Sequence, residues 1–343
     1  MYSIIIIILS VFFTLAALAI FIKQLNVGLV TTGLNDKFNW GLYIQGFFYL
    51  SAIAAGIFIF VAVTTLFEIK EFQTLSKIGG AISFSCFISA GILLGADLGK
   101  PLRVFKIIQG KNFISPLTWD FYMLTFCVLL NFIYIIGLVS EGSSGFIWGV
   151  LSLIVALGYI MIHTLFFLSR VEAGFKSNPF LGLNTLSESI WGGSAVMLLI
   201  AIGIGYKVSL LFKILIILSI LNLMPQLGEF IAAANRKERK NNHTALITNF
   251  IIMLILLTTS LLFGYNEILL GLLSILILVA VFCEKGHLVK RYQDAPTIPF
   301  PYSKFEELPQ YKPTMNEWVL TLGSLGICVW LSSLILFLKG LYM

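Results

Sequence analysis

The side chains able to hold a ligand or move a proton are few in this sequence, and most stand at one end of long apolar runs. Asp97 closes one run in "LLGADLGKP", three positions before Lys100. His163 and Arg170 lie seven apart in "HTLFFLSRVEAGFKSNPF" and so share a helix face, Arg170 about 10 Å nearer the helix end. Glu172 follows, and Glu229 sits late in the run containing "MPQLGEF". The opening of another run, "NDKFNWGLYIQGFFYLSAIAAG", supplies Trp40, Tyr43 and, a turn deeper, Gln45. Trp119 and Asp120 begin the run after the Asp97 loop. An imidazole exchanges protons near neutral pH. A buried carboxylate such as Asp97 or Glu229 can take such a proton and pass it on. A pocket of this kind suits a flat apolar ring with two carbonyl oxygens, as in a quinone, among other ligands.

Each of these residues also has a plainer reading. Asp97 can be a helix-end carboxylate paired with Lys100 or Arg103. His163 can donate to a backbone carbonyl, and Glu229 can hold two helices together. Trp40, Trp119 and Tyr43 suit the membrane–water interface. Arg170 and Glu172 can form a local salt bridge. With His243 and His287 near run ends, no facing pair of histidines is available for haem.

The chain that must position these groups is 343 residues long, 59% hydrophobic and 11% charged, with mean hydropathy +0.98. Soluble domains carry roughly 25% charged residues. That composition predicts an all-α integral membrane protein. The net charge of +6 falls in short loops, where it sets topology rather than binding nucleic acid. The four cysteines form no CxxC pair, so no iron–sulfur or zinc site of the usual kind is expected.

Ten spans are read in a single polytopic domain over 1–343: 2–23, 40–66, 77–96, 117–139, 145–169, 191–206, 208–234, 243–263, 266–284 and 316–339. The first is read as a retained helix. The segment 286–315 is read as a long polar loop. Seventeen Lys and Arg fall in the odd-numbered loops, against Lys70, Lys77, Lys207 and Lys339 on the other side. The positive-inside rule then puts the odd loops in the cytoplasm and both termini outside. The stretch Ser51, Ala54, Ala55, Gly56 predicts close helix contact.

Four segments in order, "WGLYIQGFF…AIAAG", "GADLGKPLRVFKII…NFISPLTWDF", "HTLFFLSRVEAGFKSNPF" and "PTMNEWVLTLG", make the chain resemble the NrfD/PsrC-like membrane subunits, over roughly residues 30–335. Ten spans and the span-five histidine make it more similar to the HybB/DsrP/HmcC branch. The resemblance implies two four-helix bundles with extra spans outside them, and no haem or metal in this chain. It implies a quinone-interacting subunit of a respiratory oxidoreductase complex, exchanging electrons between an iron–sulfur partner and a quinone such as menaquinone. Such a complex also holds a catalytic subunit and lies in the cytoplasmic membrane. By position the resemblance carries over Trp40–Gly41, Asp97, His163 and Glu229, whereas family members vary at Tyr43 and Gln45. Together with the reading of the residues themselves, the expected quinone-binding residues are Trp40, Tyr43, Gln45, Asp97 and His163, and the expected proton-transfer residues are Asp97, His163, Arg170, Glu172 and Glu229. A secondary transporter and a purely structural anchor are the rival readings.

Overall fold

The structure is a computed structural model. It describes residues 2–35, 38–100, 106, 110, 115–139, 142–168, 180–206, 208–235, 244–262, 265–293 and 310–340. Among these, the long elements are ten helices and there is no β-strand. They are α1 (Tyr2–Val27), α2 (Leu42–Leu66), α3 (Gln73–Asp97), α4 (Pro116–Ile135), α5 (Ser143–Leu168), α6 (Leu181–Gly203), α7 (Ser209–Asn235), α8 (Thr244–Leu262), α9 (Glu267–Gln293) and α10 (Met315–Leu338). Nine are long and apolar enough to cross a membrane, and α8 has a shorter apolar stretch, Leu246–Ser260. Apolar runs of this length fold as helices in lipid because a helix satisfies its own backbone hydrogen bonds. Local signals set the ends: Pro116 stands at the first turn of α4, where a missing N–H costs little. Thr314 and Glu317 form a capping box at the start of α10.

Helices α2 to α5 close into one antiparallel ring of four, with α2 against α3 and α5, and α4 against both. Helices α6 to α9 close into a second ring in the same way. Helix α2 also packs on α6 and α9, so it joins the two bundles. Helices α1 and α10 pair with each other outside the rings and lean on α3. The chain is an all-α, multi-pass membrane protein built of two four-helix bundles plus a peripheral pair.

The seam between the bundles depends on missing side chains. A Cβ on Gly56 would collide with the Ser189 carbonyl, and one on Gly193 would lie 2.5 Å from the Gly56 carbonyl carbon. Close approach of two backbones also lets Ser83 Oγ donate to Ala54 O at 2.9 Å between α3 and α2. Large apolar side chains on α1, α7 and the outer faces of α5 and α8 stay exposed, as lipid-facing surfaces should.

Two helix ends differ most from the sequence expectation. Helix α6 starts at Leu181 rather than 191. Asn184, Ser187 and Glu188 make that stretch look like a loop, yet the bundle satisfies two of them: Ser187 Oγ donates to Asn222 Oδ1 at 2.9 Å, and Glu188 pairs with Lys285. Helix α9 continues past 284 to Gln293. Residues 286–293, expected as loop, are therefore helical, and Lys285 is a buried helix residue rather than a loop cation.

Candidate functional site

Helices α2, α4, α6, α8 and α10 begin, and α1, α3, α5, α7 and α9 end, at one end of the molecule. The polar residues near those termini fall into three groups.

The first group lies in the α2–α5 bundle. His163 Nε2 stands 3.0 Å from Asp120 Oδ1, both side chains nearly inaccessible. Their approach is off the line of a well-formed hydrogen bond, and neither atom has another hydrogen-bond partner among the described residues. Aromatic rings enclose the imidazole: Tyr159 with centroids 4.4 Å apart, Phe48 at 5.0 Å and Phe47 at 5.4 Å. Half-buried Trp40 stacks on Phe166 at 5.1 Å and 23°. Phe48 lies between that stack and His163. An aromatic path thus leads from the bundle rim to a buried imidazole–carboxylate contact. Gln293 at the end of α9 holds the Trp40 backbone from both sides, accepting from its N–H and donating to its carbonyl, each at 2.8 Å.

The second group joins α1, α2, α3 and α10. Tyr43 Oη donates to Gln24 Oε1 at 3.2 Å, and Gln24 Nε2 donates to Ala96 O at 2.7 Å. Asp97 is next to that carbonyl, with its Oδ1 buried and unpartnered among the described residues. Glu317 is wholly buried. Its carboxylate accepts from Gly33 N (2.9 Å), Thr314 N (2.8 Å) and Tyr311 Oη (2.6 Å). Tyr311 Oη in turn accepts from Leu42 N at 2.7 Å. Burial, then the neighbouring Glu317, push the Tyr311 hydroxyl well above the ordinary tyrosine range, so it stays a donor. Gly41 is required here because a Cβ would press on Tyr311 Oη at 2.5 Å.

The third group runs through the α6–α9 bundle. Glu188 and Lys285 form a buried ion pair between α6 and α9. Glu284 lies beside that pair. It accepts from Asn249 Nδ2 at 2.5 Å and from Gln226 Nε2 at 3.4 Å. Nearer the helix ends, Arg291 Nη1 donates to Glu229 Oε1 at 2.5 Å.

The sequence-derived site residues therefore separate. Trp40 and His163 share the first group, and Tyr43 and Asp97 the second. The partner of His163 is Asp120, not Asp97. Gln45 turns to α9, donating to Phe282 O at 3.0 Å and packing over Gly286. Glu229 is half-buried and paired with Arg291. Arg170 and Glu172, and Arg103 near Asp97, lie outside the described residues. Sequence reasoning left unassigned Glu188, Glu284, Lys285, Glu317 and Gln293. The detectable signal for the first three was an ionisable residue within or beside an apolar run.

A model of the family described as "Polysulphide reductase, NrfD" matches residues 30–289. A protein of Halobacterium salinarum named as a putative dimethyl sulfoxide reductase membrane subunit is 33% identical over 112 residues, 33% of this chain and 26% of that protein. The integral membrane subunit of a menaquinone reductase from Nitratidesulfovibrio vulgaris is 30% identical over 114 residues, 33% of this chain and 27% of that protein. An Hdr-like menaquinol oxidoreductase integral membrane subunit of Archaeoglobus fulgidus is 24% identical over 120 residues, 35% of this chain and 30% of that protein. The chain thus spans less than a third of the length of each of these relatives.

Proposed function

Because the chain belongs to the polysulphide reductase NrfD family, we propose that it is the quinone-interacting membrane subunit of a respiratory oxidoreductase complex. Its proposed place is the cytoplasmic membrane, with the site end facing the cytoplasm and both termini outside, as the distribution of cations indicates. Its proposed partners are an iron–sulfur electron-transfer subunit and a catalytic subunit. Relatives named as menaquinone reductase and menaquinol oxidoreductase subunits support menaquinone as the quinone.

The observation that carries this reading is the unsatisfied His163–Asp120 contact behind aromatic walls. A buried imidazole lacking a well-formed hydrogen bond, reached along Trp40, Phe166 and Phe48, fits a flat apolar ligand with an oxygen acceptor. When bound, a quinone supplies two-electron, two-proton chemistry. His163 would hold or deliver a proton at a ligand oxygen, and Asp120 Oδ1, which faces its Nε2, would orient the imidazole and stabilise its charged form. Trp40 and Phe166 exclude water from that corner.

Asp97 and Tyr43 form a second proton-holding position in this proposal, with Gln45 at the α2–α9 contact. Arg170 and Glu172 belong to the same set by sequence alone. In the α6–α9 bundle, Glu229, Glu284, Glu188 and Lys285 are groups that can hold a proton, with Gln226 and Asn249 as hydrogen-bond donors to Glu284, and they give a route away from the site.

Quinol-linked turnover in membranes tests the assignment. His163→Ala and Asp120→Asn abolish it while leaving the complex assembled. Full turnover in both variants would falsify the site.

A further inference from the structure

The opposite end of the molecule carries a feature that electron exchange does not use. The sequence places only four cations beyond the apolar spans there, Lys70, Lys77, Lys207 and Lys339. Three of them, Lys70, Lys77 and Lys339, line one cavity of about 320 Å³ bounded by the ends of α2, α3, α4 and α10. That size falls in the usual range of small-ligand sites, about 300–1,000 Å³.

All three lysines are exposed, and none has an ion-pair partner among the described residues. The only carboxylate among the described lining residues is Glu68. It is already engaged, its Oε1 accepting from Gly142 N at 2.9 Å. Glu68 also adopts a left-handed backbone, φ 48°, which a residue with a side chain keeps only when its surroundings hold it there. Among the described lining residues, three ammonium groups stand against one carboxylate.

The rest of the wall mixes the polar side chains of Thr64, Gln73, Ser76 and Tyr134 with an apolar flank that includes Ile335 and Leu336 of α10. Phe67, Leu138 and Leu338 stand outside, each about 70% exposed (69%, 69% and 74%). Such side chains belong at acyl-chain depth, so the lysines above them stand at the level of lipid phosphates. A soluble anion would gain nothing from the apolar flank. An amphiphile with an anionic head gains from both parts.

We propose that this cavity binds the phosphodiester headgroup of an anionic phospholipid, with its acyl chains along α10. Lys70, Lys77 and Lys339 are its headgroup ligands, and Glu68 fixes the loop that carries Lys70.

The test uses the full chain purified in a neutral detergent. Phosphatidylglycerol and phosphatidylcholine of identical acyl chains, and inorganic phosphate alone, are titrated while the unfolding temperature is followed. Retained lipid is identified by native mass spectrometry. The wild-type chain retains phosphatidylglycerol and is stabilised by it more than by phosphatidylcholine or phosphate. The triple variant Lys70→Gln, Lys77→Gln, Lys339→Gln binds it about a hundredfold more weakly, each of the three lysines near a lipid surface contributing about fivefold. The triple Lys→Arg variant keeps it, and Lys23→Gln, at the other end, is unaffected. Equal stabilisation by the two lipids, equal effect of phosphate alone, or unchanged retention in a folded triple Gln variant would each overturn the proposal.

Discussion

Gln293, the last residue of α9, and Trp40, just ahead of α2, are joined by two hydrogen bonds of opposite direction, both 2.8 Å. The end of the second bundle nearest the site thereby fixes an aromatic wall of the first. Gln293→Ala removes both bonds, worth about 0.5–1.5 kcal/mol each. The expected result is a red-shifted tryptophan emission and a raised KM for quinol with a smaller change in kcat. Gln293→Glu loses only the donated bond and falls between.

Lys285 is the sole cation described beside the buried carboxyl groups of Glu188 and Glu284. Lys285→Met strands them, and breaking such a pair costs about 3–5 kcal/mol. The double variant Lys285→Met, Glu188→Leu is less damaged than Lys285→Met alone. Thermal unfolding in detergent, run as a double-mutant cycle, measures the coupling. Strictly additive losses would mean that the pair does not interact.

The α2–α6 crossing leaves no room at Gly56 or Gly193. Gly193→Ala forces the backbones apart and destabilises by about 1–3 kcal/mol, the usual cost of overpacking. Gly203→Ala, where a Cβ meets nothing within 4 Å, is the control and stays near wild type in unfolding temperature.

Tyr311 titrates as an acid whose pKa is raised on folding by burial and by Glu317. Folding therefore favours the neutral hydroxyl. Its contribution is fully present below the unfolded tyrosine value of about 10 and is lost as pH rises through the higher folded value. Tyr311→Phe strands Leu42 N and one Glu317 oxygen, lowering stability by about 1–3 kcal/mol at neutral pH. The variant's stability curve, followed by circular dichroism, declines less steeply on the alkaline side than that of the wild type.

The helix count and class were readable because apolar runs near 20 residues have one solution in lipid. The Gly56 contact was readable because small residues announce close approach. The pairings were not readable. Glu188 looked like loop because its chain neighbours Asn184 and Ser187 are polar, and the partner of Ser187 comes from α7, about thirty-five residues away. Lys285 looked like a loop cation because its partner lies 97 positions earlier in the chain. Glu317 looked like a helix start, which it is, but its second task, holding Gly33 from 284 residues away, has no local signature. His163 was visible by type, whereas Asp120 as its neighbour needed the α4–α5 packing.

Whether the corner formed by His163, Asp120 and Trp40 holds a quinone is measured by extraction. The complex is solubilised mildly, and bound quinone is extracted and quantified against protein. Near-stoichiometric quinone is expected in the wild type, and its loss in His163→Ala and Trp40→Ala, with helix content unchanged. Equal quinone in wild type and both variants would contradict it.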